Sequence, residues 1–257
     1  MSPTPREQFL SEGYQHVPNA LDAETVQLAL DCWNWSIANP GPGSNRLLQE
    51  GLIQVKDIND ARNVDIDETG YFYSDIASPD SYAVYEPLVK SEPVISLVQK
   101  FLVSENVWFL GEQVFFKEGD TPPTPWHQDI SDISAYGDDL LVIRVPLDSL
   151  DAETSLAVLP RSHHGPVYSS SYSGYKSEDI PQPESGEWVS FPCEPGDVLV
   201  FHLGCLHGGA PTREGQIRRA LALRFVGDKA YFTSRGREDD PRNGQPYRHP
   251  RLQQLVP

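Results

Sequence analysis

From Leu21 to Ile37 the apolar residues Leu21, Val26, Leu28, Ala29, Leu30, Trp33 and Ile37 recur at mixed three- and four-residue intervals. With Asp22 and Glu24 at the start, this spacing predicts an amphipathic helix whose acids favour its N-terminal turn. Pro40-Gly41-Pro42-Gly43 ends it. From there to about Ser81 the chain is polar, acidic and weakly periodic, with Asp57, Asp60, Asp65, Asp67 and Glu68 close together, a run that reads first as a solvated face. Val84 to Val103 predicts a second helix despite Pro87 and Pro93.

After residue 105 the texture changes to short apolar runs bounded by Gly, Pro and Asp. They are Val107–Leu110, Gln113–Lys117, Leu140–Leu147, Leu156–Leu159, Trp188–Phe191, Asp197–Leu203 and Arg218–Val226. Short strands at such intervals predict a mainly β fold with flanking helices: an antiparallel sandwich or barrel, of which the jelly roll, a cupin-like double-stranded β-helix, most often carries a small-molecule site in its mouth. The chain reads as one domain over 1–257: a helical part over about 1–104, a jelly-roll core over about 105–228 and a tail over about 229–257. The Ser/Tyr/Pro-rich stretch from Gly165 to Glu187 is too polar for the core and reads as a lid or a disordered loop.

Composition narrows the function. With 39% apolar and 22% charged residues the 257-residue chain can fold unaided. Its net charge of −17 repels phosphate backbones and anionic lipid, so neither nucleic acid nor a membrane is expected as a partner. Cys32, Cys193 and Cys205 lack any C-x-x-C spacing, which argues against a disulfide framework or a cysteine zinc site and fits a reducing, cytoplasmic setting. No stretch approaches the ~20 apolar residues that span a bilayer, and the N-terminus lacks a secretory pattern.

The chemistry centres on Trp126-His127-Gln128-Asp129, which follows the turn Thr121-Pro122-Pro123-Thr124-Pro125. Residues before proline avoid the helical region, so the backbone here is expected to be extended, and His127 and Asp129 then face one point while Gln128 faces away. A His-x-Asp triplet is by itself weak, since about 0.5 arise by chance in such a chain. A further ligand comes from the run Val198-Leu199-Val200-Phe201, which leads to His202 and His207. Two imidazoles and one carboxylate form the facial triad of non-haem Fe(II) oxygenases, although zinc accepts the same ligands. Arg218 favours iron. Alternation puts Arg218, Ala220, Ala222 and Arg224 on one small, cationic face, where a guanidinium can clasp the distal end of a keto-diacid whose other end chelates the metal.

Together these residues resemble the phytanoyl-CoA dioxygenase family of Fe(II)/2-oxoglutarate-dependent oxygenases. The resemblance runs through Glu12-Gly13-Tyr14-Gln15-His16-Val17-Pro18-Asn19-Ala20-Leu21, the iron-binding strand Pro125-Trp126-His127-Gln128-Asp129, and Val158-Leu159-Pro160-Arg161-Ser162-His163, where Arg161 replaces a glycine. It ends with Gly196-Asp197, His207 and Arg218. It implies Fe(II), 2-oxoglutarate and O2, with His127, Asp129 and His207 as metal ligands and Arg218 on the C5 carboxylate. The eleven residues from His207 to Arg218 favour His207 over His202 as the distal ligand. Because Asp129 is a carboxylate rather than the small residue of halogenating relatives, hydroxylation or desaturation is implied. His163 is expected to be structural.

Two departures stand out. Arg144 occupies about the position of a tryptophan near the cosubstrate in several relatives, and Gly209 stands where some relatives carry a hydroxyl. If Arg144 points into the barrel, it predicts an anionic or carbonyl-bearing substrate or an altered grip on 2-oxoglutarate. Gln113 and Lys117 are further cosubstrate candidates, and Trp126 and Tyr136 are substrate candidates. The expected activity is hydroxylation of an aliphatic C–H in a small metabolite or natural-product intermediate. The competing readings are a zinc or manganese cupin-like isomerase or hydrolase, and a non-catalytic small-molecule-binding jelly roll.

Overall fold

The computed structural model describes residues 3–41, 45–48, 51–54, 71–76, 80–168, 180–184, 186–234, 237–248 and 253–256. The chain starts with a helix absent from the sequence-based expectation, α1 (Pro5–Glu12). Thr4 and Glu7 form a reciprocal capping box at its start, and Gly13, at φ 85°, closes it. After β1 (Tyr14–Val17) comes α2 (Ala23–Ala38), the helix expected from periodicity, with Asp22 accepting from the Thr25 N–H as N-cap. Then follow β2 (Asn45–Leu48), β3 (Gly51–Gln54) and β4 (Tyr71–Ile76).

Instead of one helix over Val84–Val103 there are two, α3 (Tyr82–Val89) and α4 (Glu92–Phe101). Pro93 lacks the N–H that would bond the Val89 carbonyl, so α3 must end there; Ser91 Oγ donates to the Leu88 carbonyl at 2.7 Å and closes it. The core strands are β5 (Val107–Glu118), β6 (Thr124–His127), β7 (Ala135–Gly137), β8 (Leu140–Pro146), β9 (Leu156–Val158), β10 (Val198–His202), β11 (His207–Gly209) and β12 (Ile217–Gly227). β13 (Ala230–Phe232) and β14 (Gln253–Val256) end the chain. The expected strands Val107–Leu110 and Gln113–Lys117 are one strand, kinked by a bulge at Leu110–Gly111, where Arg224 and Phe225 of β12 face Gly111 and Phe109. Trp188–Phe191 contributes only a single bridge, Val189 to Val158.

Nine strands form one antiparallel sheet in the order β1-β10-β8-β12-β5-β4-β2-β3, with β14 beside β5. Strands from the expected helical part and the expected tail thus complete the sheet of the expected core. A second sheet, β6-β11-β9, opposes it, and β7 pairs with β13. This is a double-stranded β-helix. One face of the large sheet, carrying Val114, Phe116, Ile143, Val145, Leu221, Leu223 and Phe225, packs under the helices. Trp33 of α2 fixes that layer by donating its indole N–H to the Phe115 carbonyl at 3.0 Å. The opposite parity of β12 faces the small sheet across a cavity. Among the described residues no helix is long and apolar enough to cross a membrane.

Candidate active site

β6 ends at His127, Gln128 remains extended (φ −123°, ψ 130°), and Asp129 opens a 3-10 turn. The local geometry therefore differs from a continuous strand, yet Asp129 keeps the side of His127. β11 starts at His207, directly opposite His127, and the two rings stand 4.2 Å apart. The three ligand atoms of His127, Asp129 and His207 lie within 4.8 Å of one another. Asp129 Oδ1 is 3.8 Å from His127 Nε2 and 3.7 Å from His207 Nε2.

Both imidazoles are oriented by the same device. Each Nδ1 donates to a carbonyl two residues upstream, His127 to Pro125 at 2.8 Å and His207 to Cys205 at 3.0 Å, which leaves each Nε2 with a lone pair for a metal. Burial, reinforced by His127, pushes His207 down to about 3, so it is neutral and ligand-ready at ordinary pH. Burial alone would raise the Asp129 carboxyl, but the Arg224 guanidinium and the two imidazoles outweigh it and hold Asp129 well below the usual carboxylate range. Gln128 faces away as alternation requires, accepting from Tyr168 N and donating to the Gly204 carbonyl, both at 2.8 Å.

His202 is not in this group. Its Nε2 donates to the Gly137 carbonyl at 2.9 Å, its Nδ1 accepts from Gly204 N at 3.0 Å, and burial holds it neutral at about 4. His163 packs against it and bonds the Leu10 carbonyl at 2.9 Å, tying α1 to the barrel.

Behind Asp129 stands a residue to which the sequence reading gave no role. Arg224 donates to Asp129 Oδ2 from Nε at 3.1 Å and from Nη2 at 2.8 Å, and Nη2 also donates to Gln113 Oε1 at 2.5 Å. Gln113 in turn donates to Ser74 Oγ at 3.0 Å. Oδ2 is thus occupied and Oδ1 remains for a cation. Gln113, expected as a cosubstrate contact, stands behind the carboxylate and is not among the residues lining the cavity. The sequence signal was present in alternation, which placed Arg224 on the face of Arg218.

Farther along that face, Arg218 sits directly opposite Lys117 in the β12–β5 register, and both are buried in the cavity wall. Arg218 donates to the Thr154 carbonyl and, at 2.6 Å, to that of Ala210; Lys117 donates to the Pro122 carbonyl at 2.9 Å. Among the described residues no carboxylate pairs with Arg218. Like charges directly opposite destabilise a sheet unless an anion lies between them. Burial, then the nearby Arg218 and Arg144, pulls Lys117 down to about 7.

Thr124 also reaches this end. His127 pairs with His207, yet Gly209 pairs with Thr124 rather than Pro125, because the ladder shifts register between them. The bulge turns Thr124, which strict alternation from His127 would aim outward, into the cavity. Its Oγ1 lies 3.0 Å, and Arg218 Nη2 3.6 Å, from the point a Cβ on Gly209 would occupy. No sequence pattern announces such a bulge.

Arg144 lines the same cavity from β8, opposite Ala222. Because Ala220 and Ala222 are small, its guanidinium crosses β12 to lie 4.1 Å from the Phe115 ring centroid. Burial, then Arg218 and Arg224, pulls it down to about 9, so it stays cationic at neutral pH. Trp126 instead lines an adjoining apolar cavity with Trp188 and Gln182, which meets the first at Thr124, Ser155 and Gly209. Tyr136 is 45% exposed beside Tyr231 and does not reach the cavity. The acidic run Asp57–Glu68 lies outside the described residues; of the expected lid or loop Gly165–Glu187, Gln182 reaches the adjoining cavity.

The family model described as phytanoyl-CoA dioxygenase matches residues 9–220. No curated protein sequence matches the chain. Among solved structures, the epimerase SnoN in complex with Fe3+, alpha-ketoglutarate and nogalamycin RO superposes with a TM-score of 0.69 at 18% identity over 96% of each chain. The non-haem alpha-ketoglutarate-dependent carbocyclase SnoK from nogalamycin biosynthesis gives 0.67 at 16% identity, over 100% of this chain and 97% of that one. EvdO2 from Micromonospora carbonacea var. aurantiaca, complexed with 2-oxoglutarate, gives 0.62 at 20% identity over 94% and 96%. At these identities the likeness is one of fold.

Proposed function

Because the chain belongs to the phytanoyl-CoA dioxygenase family of iron- and 2-oxoglutarate-dependent enzymes, we propose that it hydroxylates an aliphatic C–H of a small metabolite or natural-product intermediate, converting 2-oxoglutarate and dioxygen to succinate and carbon dioxide. The observation that carries this reading is one cavity holding the His127–Asp129–His207 group at one place and an acid-free guanidinium, Arg218, at another. The donor set fits a single ferrous ion: two Nε2 atoms and one carboxylate oxygen converge, and the remaining polar atoms of all three side chains are spoken for. Bound there, iron supplies the activation of dioxygen coupled to oxidative decarboxylation of the keto acid.

The chain's own residues do the rest. His127 and His207 hold their lone pairs in place through the Pro125 and Cys205 carbonyls, and Arg224 fixes the rotamer of Asp129. Arg218, with Lys117 opposite and the Thr124 hydroxyl beside it, receives the distal carboxylate, so the keto end is directed toward the metal ligands. Apolar walls from Leu156, Leu199 and Phe201 limit water at the reacting centre. Trp126, Trp188 and the adjoining cavity receive the bulk of the substrate, and the whole chain acts as one domain. Asp129 fills the position that halide would need, which favours oxygen insertion.

The test is succinate formation from 2-oxoglutarate by the Fe(II)-loaded protein. Turnover is expected in the wild type and not in His127→Ala, Asp129→Ala or His207→Ala; full turnover in any of these variants overturns the assignment. Zinc or manganese loading is expected to give none.

A further inference from the structure

A ferrous ion, the Asp129 carboxylate, the Arg218 guanidinium and the 2-oxoglutarate dianion balance to neutrality. Arg144 and Arg224 then stand in the same cavity as positive charges in excess, joined by Lys117 when it is protonated. Both also have unused donors. Arg224 Nη1 is buried without a hydrogen-bond partner, in a side chain only 7% exposed. Arg144 makes no hydrogen bond or ion pair to any described residue and rests only on the face of Phe115. The register makes the two neighbours: Arg144 pairs with Ala222, and Arg224 is the next residue of that parity on β12. Two guanidiniums on such a diagonal repel, and a buried donor left unmade costs free energy. An anion between them relieves both.

We propose that Arg144 and Arg224 Nη1 form a second anion-binding position in the cavity, and that the substrate carries a carboxylate which docks there. The inference rests on the reaction proposed above and adds the class of molecule it acts on. The chain's overall charge of −17 does not oppose it, because at contact distance local guanidiniums outweigh a global field. A carboxylate suits the position because its two oxygens match the forked donors of Arg144 while one also accepts from Arg224. Held there, it stands beside Asp129, which brings the adjoining carbons close to the metal ligands. Even a contact between Arg144 and the keto-acid end of 2-oxoglutarate leaves the excess positive charge uncompensated.

The test uses protein loaded with Ni(II), which supports no turnover, and saturated with 2-oxoglutarate. Cyclohexanecarboxylate and its neutral amide, alike in shape, are then titrated by calorimetry. The carboxylate is expected to bind at least about tenfold more tightly than the amide and without displacing 2-oxoglutarate. Arg144→Met is expected to abolish that preference while changing 2-oxoglutarate affinity less than about threefold, which also shows that the variant is folded; Arg144→Lys is expected to keep part of the preference. The proposal is overturned if the wild type shows no preference, if the carboxylate competes with 2-oxoglutarate, or if Arg144→Met loses 2-oxoglutarate while the preference survives. Failure of the wild type to bind 2-oxoglutarate at all overturns the functional reading, and this inference with it.

Discussion

Arg224 holds Asp129 through Oδ2 alone, from Nη2 at 2.8 Å and Nε at 3.1 Å, and leaves Oδ1 facing the Nε2 atoms of His127 and His207. The guanidinium thereby decides which carboxylate oxygen a metal meets. Arg224→Met frees the carboxylate to rotate and leaves its charge unpaired in the wall. Metal affinity is expected to fall about 10- to 100-fold, the usual cost of losing such a support. Arg224→Lys is expected to recover little, because an ammonium lacks the fork. Nickel titration of the three proteins measures this.

Thr124 Oγ1 lies 3.0 Å from the point where a side chain at position 209 would begin. Thr124→Ala is expected to weaken 2-oxoglutarate about tenfold, the scale of one hydrogen bond to a charged group, and to leave pyruvate, which lacks a distal carboxylate, unchanged. Moving the hydroxyl across the strands in Thr124→Gly/Gly209→Ser is expected to restore 2-oxoglutarate. Equal losses for both keto acids would mean that Thr124 is only structural.

Lys117 gives cosubstrate binding a pH dependence. In the free protein burial and nearby Arg218 hold it at about 7, so above that pH it is increasingly neutral, whereas a bound dianion favours the ammonium. Binding therefore takes up a proton. Affinity is greatest below pH 7 and falls by up to about tenfold per unit above it, until the raised pKa of the complex is reached. Calorimetry in buffers of different ionisation heats counts the protons, and Lys117→Met should show none.

Away from the site, Asp139 is fully buried and bonded to Arg6 of α1, to Ser104 Oγ and, at 3.0 Å, to Lys229 N. Asp139→Ala strands a guanidinium and two donors. It should cost about 3 kcal/mol in denaturant unfolding and leave metal affinity near the wild-type value.

What could be read from the sequence followed from how local each signal is. The face of β12 carrying Arg218 and Arg224 was legible because alternation depends only on neighbours in the chain. β2, β3 and β4 were not, since these short strands lie within a segment that is polar and acidic overall, and they join the sheet only through the pairing of β4 with the distant β5. The Arg224–Asp129 bond joins residues 95 apart and could not be read even with both on the page. Thr124 was hidden by a register shift, and Tyr136 is turned outward beside Tyr231 by the pairing of β7 with β13, which joins distant residues. The break between α3 and α4 was announced by Pro93 and underweighted.

His127, Asp129 and His207 are expected to share one ferrous ion whose bound keto acid reaches Arg218. Anomalous diffraction at the iron edge, on crystals soaked anaerobically with Fe(II) and 2-oxoglutarate, would show this. A single peak is expected ~2.0–2.2 Å from both Nε2 atoms and from Asp129 Oδ1, with the distal carboxylate on Arg218. An iron peak on other ligands, or a keto acid whose distal carboxylate lies away from Arg218, would contradict it.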